Sequence, residues 1–105
     1  MKRKTVEDRV ACGMAFLDTR MPGWHKDVRV GDLDISTSCG CVIGQLFGSY
    51  NDNVEGLGLT PHDARDLGFY EFDGQGREER YGRLTAAWQD SILSRFEPIH
   101  YDRVA

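Results

Sequence analysis

The sequence predicts an all-α domain, and three observations support that prediction. The most apolar window, Ser38–Tyr50, repeats its apolar residues at steps of one, three and four, the spacing of one helical face. Capping residues precede several apolar runs, and glycine followed by an apolar residue ends two of them. No run that alternates apolar and polar residues reaches the length of a strand. We therefore expect about five short helices packed around a central helix over Cys39–Ser49.

The central helix is expected to be buried on most of its circumference. Its three glycines, Gly40, Gly44 and Gly48, are each four residues apart. A glycine in a helix interior costs about 1 kcal/mol relative to alanine. Three glycines in register indicate that another helix backbone approaches this face closely. The predicted core residues come from this helix and the last one, and are Val42, Ile43, Gly44, Leu46, Phe47, Leu84 and Trp88.

The other helices are predicted from their start and stop signals. Thr5 is a capping residue, and Thr60-Pro61 combines a capping threonine with proline at the first helical position. Gly58 and Gly68 are expected to end the helices that precede them. The last helix carries a stripe of large apolar residues, Tyr81, Leu84, Trp88, Ile92 and Phe96. The predicted ranges are 5–19, 50–57, 61–67 and 78–96.

The segment Val28–Ile35 leaves an alternative open. Val28-Arg29-Val30 and Leu33-Asp34-Ile35 alternate apolar and polar residues around Gly31-Asp32. A small hairpin there would make the fold α+β. We prefer an irregular or single-turn connector because neither arm reaches four residues.

Length and charge bound the class of protein. The 105 residues suit one globular domain spanning 1–105, ordered over about 5–96, with a loose tail at 97–105. A net charge of -4 argues against nucleic acid or an anionic membrane as a partner. No window has the roughly 18 apolar residues of a membrane span, and no apolar core of a signal peptide follows the basic start. We expect a protein of the cytoplasm.

The cysteines offer the one candidate metal site. Cys39 and Cys41 are two residues apart, and His25, His62, Cys12 or His100 could in principle supply the further ligands. Structural zinc sites use two ligand pairs on knuckle turns, whereas here the pair is too closely spaced and a second pair is missing. We therefore expect no metal and no cofactor. A small metal- or ligand-binding protein that uses Cys39 and Cys41 is the alternative.

Catalytic signals are equally sparse. No nucleophile, base and orienting residue form a set, and no serine-elbow or cysteine signature occurs. We expect a protein that is not an enzyme and has no catalytic residues.

The best candidate for an interaction surface is Trp24 with His25 and Lys26, because a large aromatic on the turn Pro22-Gly23 suits an exposed binding anchor. The alternative is that Trp24 forms a lid on the core.

One succession of short motifs covers residues 13 to 93 and is most specific in its central block. It consists of Gly13-x-Ala15-x-Leu17-Asp18, Gly23-Trp24, Leu33-Asp34-Ile35-Ser36, Cys41-Val42-Ile43-Gly44-Gln45-Leu46-Phe47-Gly48-x-Tyr50, Leu57-Gly58-Leu59, Leu67-Gly68-Phe69 and Tyr81-x-x-Leu84-Thr85-x-Ala87-Trp88. This succession resembles small uncharacterised proteins encoded by actinobacteria and by the phages that infect them. The resemblance implies a source and a fold unit, and it carries no activity or site residues. The expected function is that of a non-enzymatic accessory protein, encoded by a phage, which contacts a host or phage protein or a second copy of itself.

Overall fold

A computed structural model describes residues 5–48, 56–72 and 74–96. In these ranges the chain forms four α-helices, which are α1 (Val6–Arg20), α2 (Val42–Phe47), α3 (Pro61–Asp66) and α4 (Arg77–Phe96). Two single-turn 3₁₀ helices, Trp24–Asp27 and Val30–Asp32, lie between α1 and α2. No strand occurs in the described ranges, so the predicted all-α class is confirmed. The helix predicted over 50–57 falls largely outside these ranges and the tail at 97–105 wholly so; both stay predictions.

The two long helices, α1 and α4, form the scaffold. Thr5 caps α1 through a capping box, in which its hydroxyl accepts from the Asp8 N–H at 3.0 Å and its own N–H donates to the Asp8 carboxylate at 3.2 Å. The α4 stripe is buried at Tyr81, Leu84, Trp88 and Ile92, as predicted. The stripe stops there, because Phe96 keeps 44% of its surface exposed. Among the described elements, α1 and α4 share the most extensive contact, whereas α2 packs against the first 3₁₀ helix.

The helix predicted over Cys39–Ser49 is shorter than expected. It begins at Val42 and ends at Phe47. The next residue, Gly48, has a φ of +104°, a backbone angle that residues other than glycine rarely adopt. Its N-terminus is capped by the Cys41 sulfur, which accepts from the Gly44 N–H at 3.3 Å. Of the seven predicted core residues, Leu46 and Phe47 are half-buried and pack against the core; the other five, Val42, Ile43, Gly44, Leu84 and Trp88, are buried.

Close helix packing occurs at Gly13 rather than along the predicted glycine stripe. A Cβ on Gly44 would collide with the backbone of Ser38 and Cys39, which belong to the turn before the same helix. A Cβ on Gly13 would collide with the Leu67 carbonyl oxygen at the end of α3 and would lie 2.8 Å from the Trp88 ring of α4. Gly13 thus lets α1 approach two other helices at once.

The short helix α3 is defined by its two ends. Thr60 and Asp63 form a second capping box, with distances of 3.1 Å in both directions. At the other end Gly68 has a φ of +77°, and the Phe69 N–H donates to the Ala64 carbonyl at 2.8 Å. This is the Schellman pattern that the glycine-then-apolar signal predicts. The Trp88 indole then donates to the Gly68 carbonyl at 2.6 Å, which fastens the end of α3 to α4.

The connector between α1 and α2 contains no hairpin, so the α+β alternative is wrong for this segment. Side chains from the helices hold its backbone instead. The Ile35 N–H donates to the Thr85 hydroxyl at 3.0 Å, and the Gln89 amide donates to the Val30 carbonyl at 3.1 Å. The Gln45 amide pairs with both backbone groups of Arg29, at 2.6 and 3.2 Å. An irregular chain can be rigid here because its polar groups have side-chain partners.

A buried charge network joins α1 to the segment that leads into α4. The Arg9 guanidinium donates to the Glu71 carboxylate at 2.7 Å, and both side chains are less than 5% exposed. It also donates to the carbonyl of Arg65 at 2.7 Å and that of Tyr70 at 3.0 Å. Arg80 lies 3.5 Å from the other Glu71 oxygen. Each charge in this network has a partner, as burial demands.

Candidate functional site

Trp24 lies in the core, so the prediction that it is an exposed anchor is wrong. Its side chain is fully buried and meets Trp88 edge-to-face, with ring centroids 5.9 Å apart. Its indole N–H donates to an Asp18 carboxylate oxygen at 2.9 Å. The alternative that Trp24 covers the core describes its position correctly. The turn places the indole inward because the polar end of the ring has a partner on α1.

An ion pair between Asp18 and Arg95 joins the ends of α1 and α4. Two parallel hydrogen bonds of 2.9 Å connect the guanidinium to the two carboxylate oxygens. The guanidinium also lies 5.4 Å from the Trp24 ring centroid. Hydrogen bonding from Arg95, helped by the Trp24 indole, lowers the pKa of Asp18 to about 2 against a smaller opposing effect of burial. A two-pronged pair of this kind fixes the orientation of the end of α4.

Two large apolar side chains are exposed beside this ion pair. Leu93 and Phe96 are 42% and 44% exposed, and they are three residues apart on α4, which places them side by side. The His25 ring packs against Phe96 with ring centroids 5.3 Å apart. Lys26 follows His25 in the same turn and is exposed. We call the surface formed by His25, Lys26, Leu93 and Phe96 the Phe96 surface.

The Phe96 surface contains two of the three predicted interaction residues. His25 and Lys26 belong to it, whereas Trp24 lies beneath it and supports His25, the two rings being 6.0 Å apart. Sequence reasoning missed Leu93 and Phe96. A signal existed for Leu93, which directly follows Ile92 and therefore falls beside the apolar stripe of α4 rather than on it. Phe96 continues that stripe in spacing, so its exposure had no sequence signal.

The four residues of the alternative metal site have separate contacts in the structure. The Cys41 thiol is buried in its capping role, and burial raises its pKa. Cys39 is exposed, and its thiol lies 3.6 Å from the Gly48 carbonyl. His62 packs on Phe72 with ring centroids 5.0 Å apart, and His25 packs on Phe96. Among the described residues, no three side chains of His, Cys, Asp or Glu are grouped as a metal site requires.

A cleft lies between the turn at Ile35–Ser38 and the start of α4. Its volume is about 230 Å³, below the roughly 300–1,000 Å³ of usual small-molecule pockets. The hydroxyl of Ser36 donates to the Asp34 carboxylate at 2.6 Å, and that of Thr37 donates to the Asp34 carbonyl at 3.2 Å. These hydroxyls stabilise the turn. The cleft is therefore a weaker candidate for a functional site than the Phe96 surface.

Comparisons with known proteins assign no family to this chain. No protein-family model, no curated protein and no solved structure matches the chain. Within the described ranges, none of the helices is both long enough and apolar enough to cross a bilayer.

Proposed function

We propose that this chain is a non-enzymatic accessory protein that binds another protein through the Phe96 surface. The observation that carries the proposal is the exposure of Leu93 and Phe96, two large apolar side chains held side by side at one end of α4. Apolar side chains grouped on a surface are typical of protein contact sites. An aromatic ring in such a group offers a large contact area at little cost in side-chain entropy.

The rigidity of this end of α4 supports the same proposal. The ion pair of Asp18 with Arg95 anchors the helix just before Phe96, and His25 packs on the Phe96 ring. A surface that is already ordered loses little conformational entropy when a partner binds. The apolar pair is therefore presented in a form suited to docking.

The partner we propose is a protein of a bacterial host or of a phage, in the bacterial cytoplasm, with this chain encoded by the phage. The motif resemblance supports that source. The net charge of -4 favours a protein over nucleic acid or an anionic membrane. The state of Cys41 supports a role other than catalysis, because a buried thiol with a raised pKa that serves as a helix cap is a poor nucleophile.

Affinity capture with surface variants tests the proposal. The tagged full chain is compared with the double variant Leu93→Ser, Phe96→Ser in lysate of an actinobacterial host. The matched control is Ala86→Ser, which changes an exposed residue of the same helix to the same residue type. We expect a co-purifying protein that the wild type and Ala86→Ser retain and the double variant loses. Circular dichroism and the melting temperature check that all three chains stay folded.

Two results would overturn the proposal. The first is a partner that the double variant captures as well as the wild type does, because the contact would then lie elsewhere. The second is concentration-dependent dimerisation in sedimentation velocity that Leu93→Ser, Phe96→Ser abolishes. That result would make a second copy of this chain, rather than another protein, the occupant of the Phe96 surface.

A further inference from the structure

His25 is the titratable side chain that packs against the apolar part of the Phe96 surface. It is half-buried between two rings, 5.3 Å from the Phe96 centroid and 6.0 Å from that of Trp24. Its Nδ1 atom is buried and makes no hydrogen bond with any residue that the structure describes. A buried polar atom without a partner is uncommon, and its cost depends on whether the atom carries a proton.

Charged groups face His25 from both helices and from its own turn. Asp18 of α1 and Arg95 of α4 form the ion pair described above, so their charges largely offset each other. Asp18 and His25 still attract each other weakly when the imidazole is charged. Lys26 and Asp27, on the same turn as His25, are exposed to water. No carboxylate among these groups accepts a hydrogen bond from Nδ1.

Protonation changes how many hydrogen-bond acceptors the His25 ring requires. A neutral imidazole carries one N–H, and Nδ1 can remain the atom without a proton; an imidazolium carries an N–H at both nitrogens. In the observed position the second N–H would be buried without an acceptor, which is costly. Turning the ring toward water satisfies that N–H and also ends its packing on Phe96.

We propose that His25 is a proton-sensitive switch for the Phe96 surface, with its ring on Phe96 when neutral and turned away when charged. As a control of partner binding, this inference rests on the proposed function: acid would disorder the docking surface and weaken the contact. The motion of the ring itself needs no partner.

Nuclear magnetic resonance of the full chain tests the switch without a partner. The His25 Hε1 signal, the Phe96 ring signals and the nuclear Overhauser effect between the two rings are followed from about pH 8 to about pH 5. We expect the Phe96 signals to shift with the same midpoint as His25, and the effect between the rings to be lost on the acid side. His25→Phe keeps an aromatic ring that cannot bind a proton, so its Phe96 signals should stay constant.

His62→Phe is the matched control, because His62 packs on Phe72 with ring centroids 5.0 Å apart, outside the Phe96 surface. It should leave the Phe96 transition unchanged. The switch is wrong if the Phe96 signals stay constant while His25 titrates, or if their transition persists in His25→Phe. Loss of the captured partner in Leu93→Ser, Phe96→Ser bears on the proposed function alone, so the two failures are distinguishable.

Discussion

Replacing Arg9 with methionine should remove a large share of the stability of the fold. The change deletes three hydrogen bonds of 2.7 to 3.0 Å, to the Glu71 carboxylate and to two carbonyls. Methionine fills much of the space but does not pair with the Glu71 carboxylate, whose side chain is 3% exposed. That carboxylate then keeps Arg80, at 3.5 Å, as its charged partner. Removing one partner of a buried pair costs about 3–5 kcal/mol. Small domains are stable by about 5–15 kcal/mol in total, so the effect should be large.

Urea unfolding followed by circular dichroism measures that loss, and an exposed ion pair supplies the control. Arg29 pairs with Asp32 at 3.1 Å, but both side chains are more than 70% exposed. Arg29→Met should therefore cost less than about 1 kcal/mol. The double variant Arg9→Met, Glu71→Leu should recover part of the loss, because it buries no lone charge. If Arg9→Met costs no more than Arg29→Met, the buried network does not stabilise the fold as argued.

Two further changes test the packing and the ion pair. Gly13→Ala should destabilise the protein measurably in thermal unfolding, since its Cβ would meet the Leu67 carbonyl and Trp88, whereas Gly82→Ala, with open space around it, should stabilise α4 by about 0.5–1 kcal/mol; equal effects would refute the close approach of α1. The pKa of Asp18 is lowered to about 2 from 3.8, so its contribution is complete above about pH 4 and is lost as the pH falls toward 2. Because the Asp18 side chain is 45% exposed, that contribution should be below about 1 kcal/mol. Asp18→Asn should flatten the decline in stability between pH 4 and pH 2, and an unchanged decline would contradict this assignment.

Local signals predicted the helices well where the deciding interactions are also local. The capping boxes at Thr5 and Thr60 involve partners three residues away, which the sequence displays directly. The buried stripe of α4 is likewise a property of one helix. These elements could be predicted because no distant residue is needed to specify them.

The central helix shows why a local pattern can also mislead. Apolar spacing over Ser38–Tyr50 resembles one continuous helix, but Cys39 and Gly40 belong to a turn whose backbone packs against Gly44. Because glycine has no side chain, its backbone can be approached closely either by another helix or by a turn. At Gly13, by contrast, the close approach depends on Leu67 and Trp88, more than fifty residues along the chain. Sequence spacing alone cannot assign a partner to a glycine.

The Phe96 surface depends on a contact that the sequence does not reveal. Trp24 on a Pro-Gly turn has the composition of an exposed anchor, yet Asp18 supplies the acceptor that allows its indole to be buried. The same carboxylate binds Arg95, which is 77 residues away. One side chain therefore turns Trp24 inward and anchors the end of α4. At this end of α4 the exposed aromatic ring is Phe96. The candidate surface therefore lies near the predicted turn, but its exposed aromatic residue is Phe96 of α4 instead of Trp24.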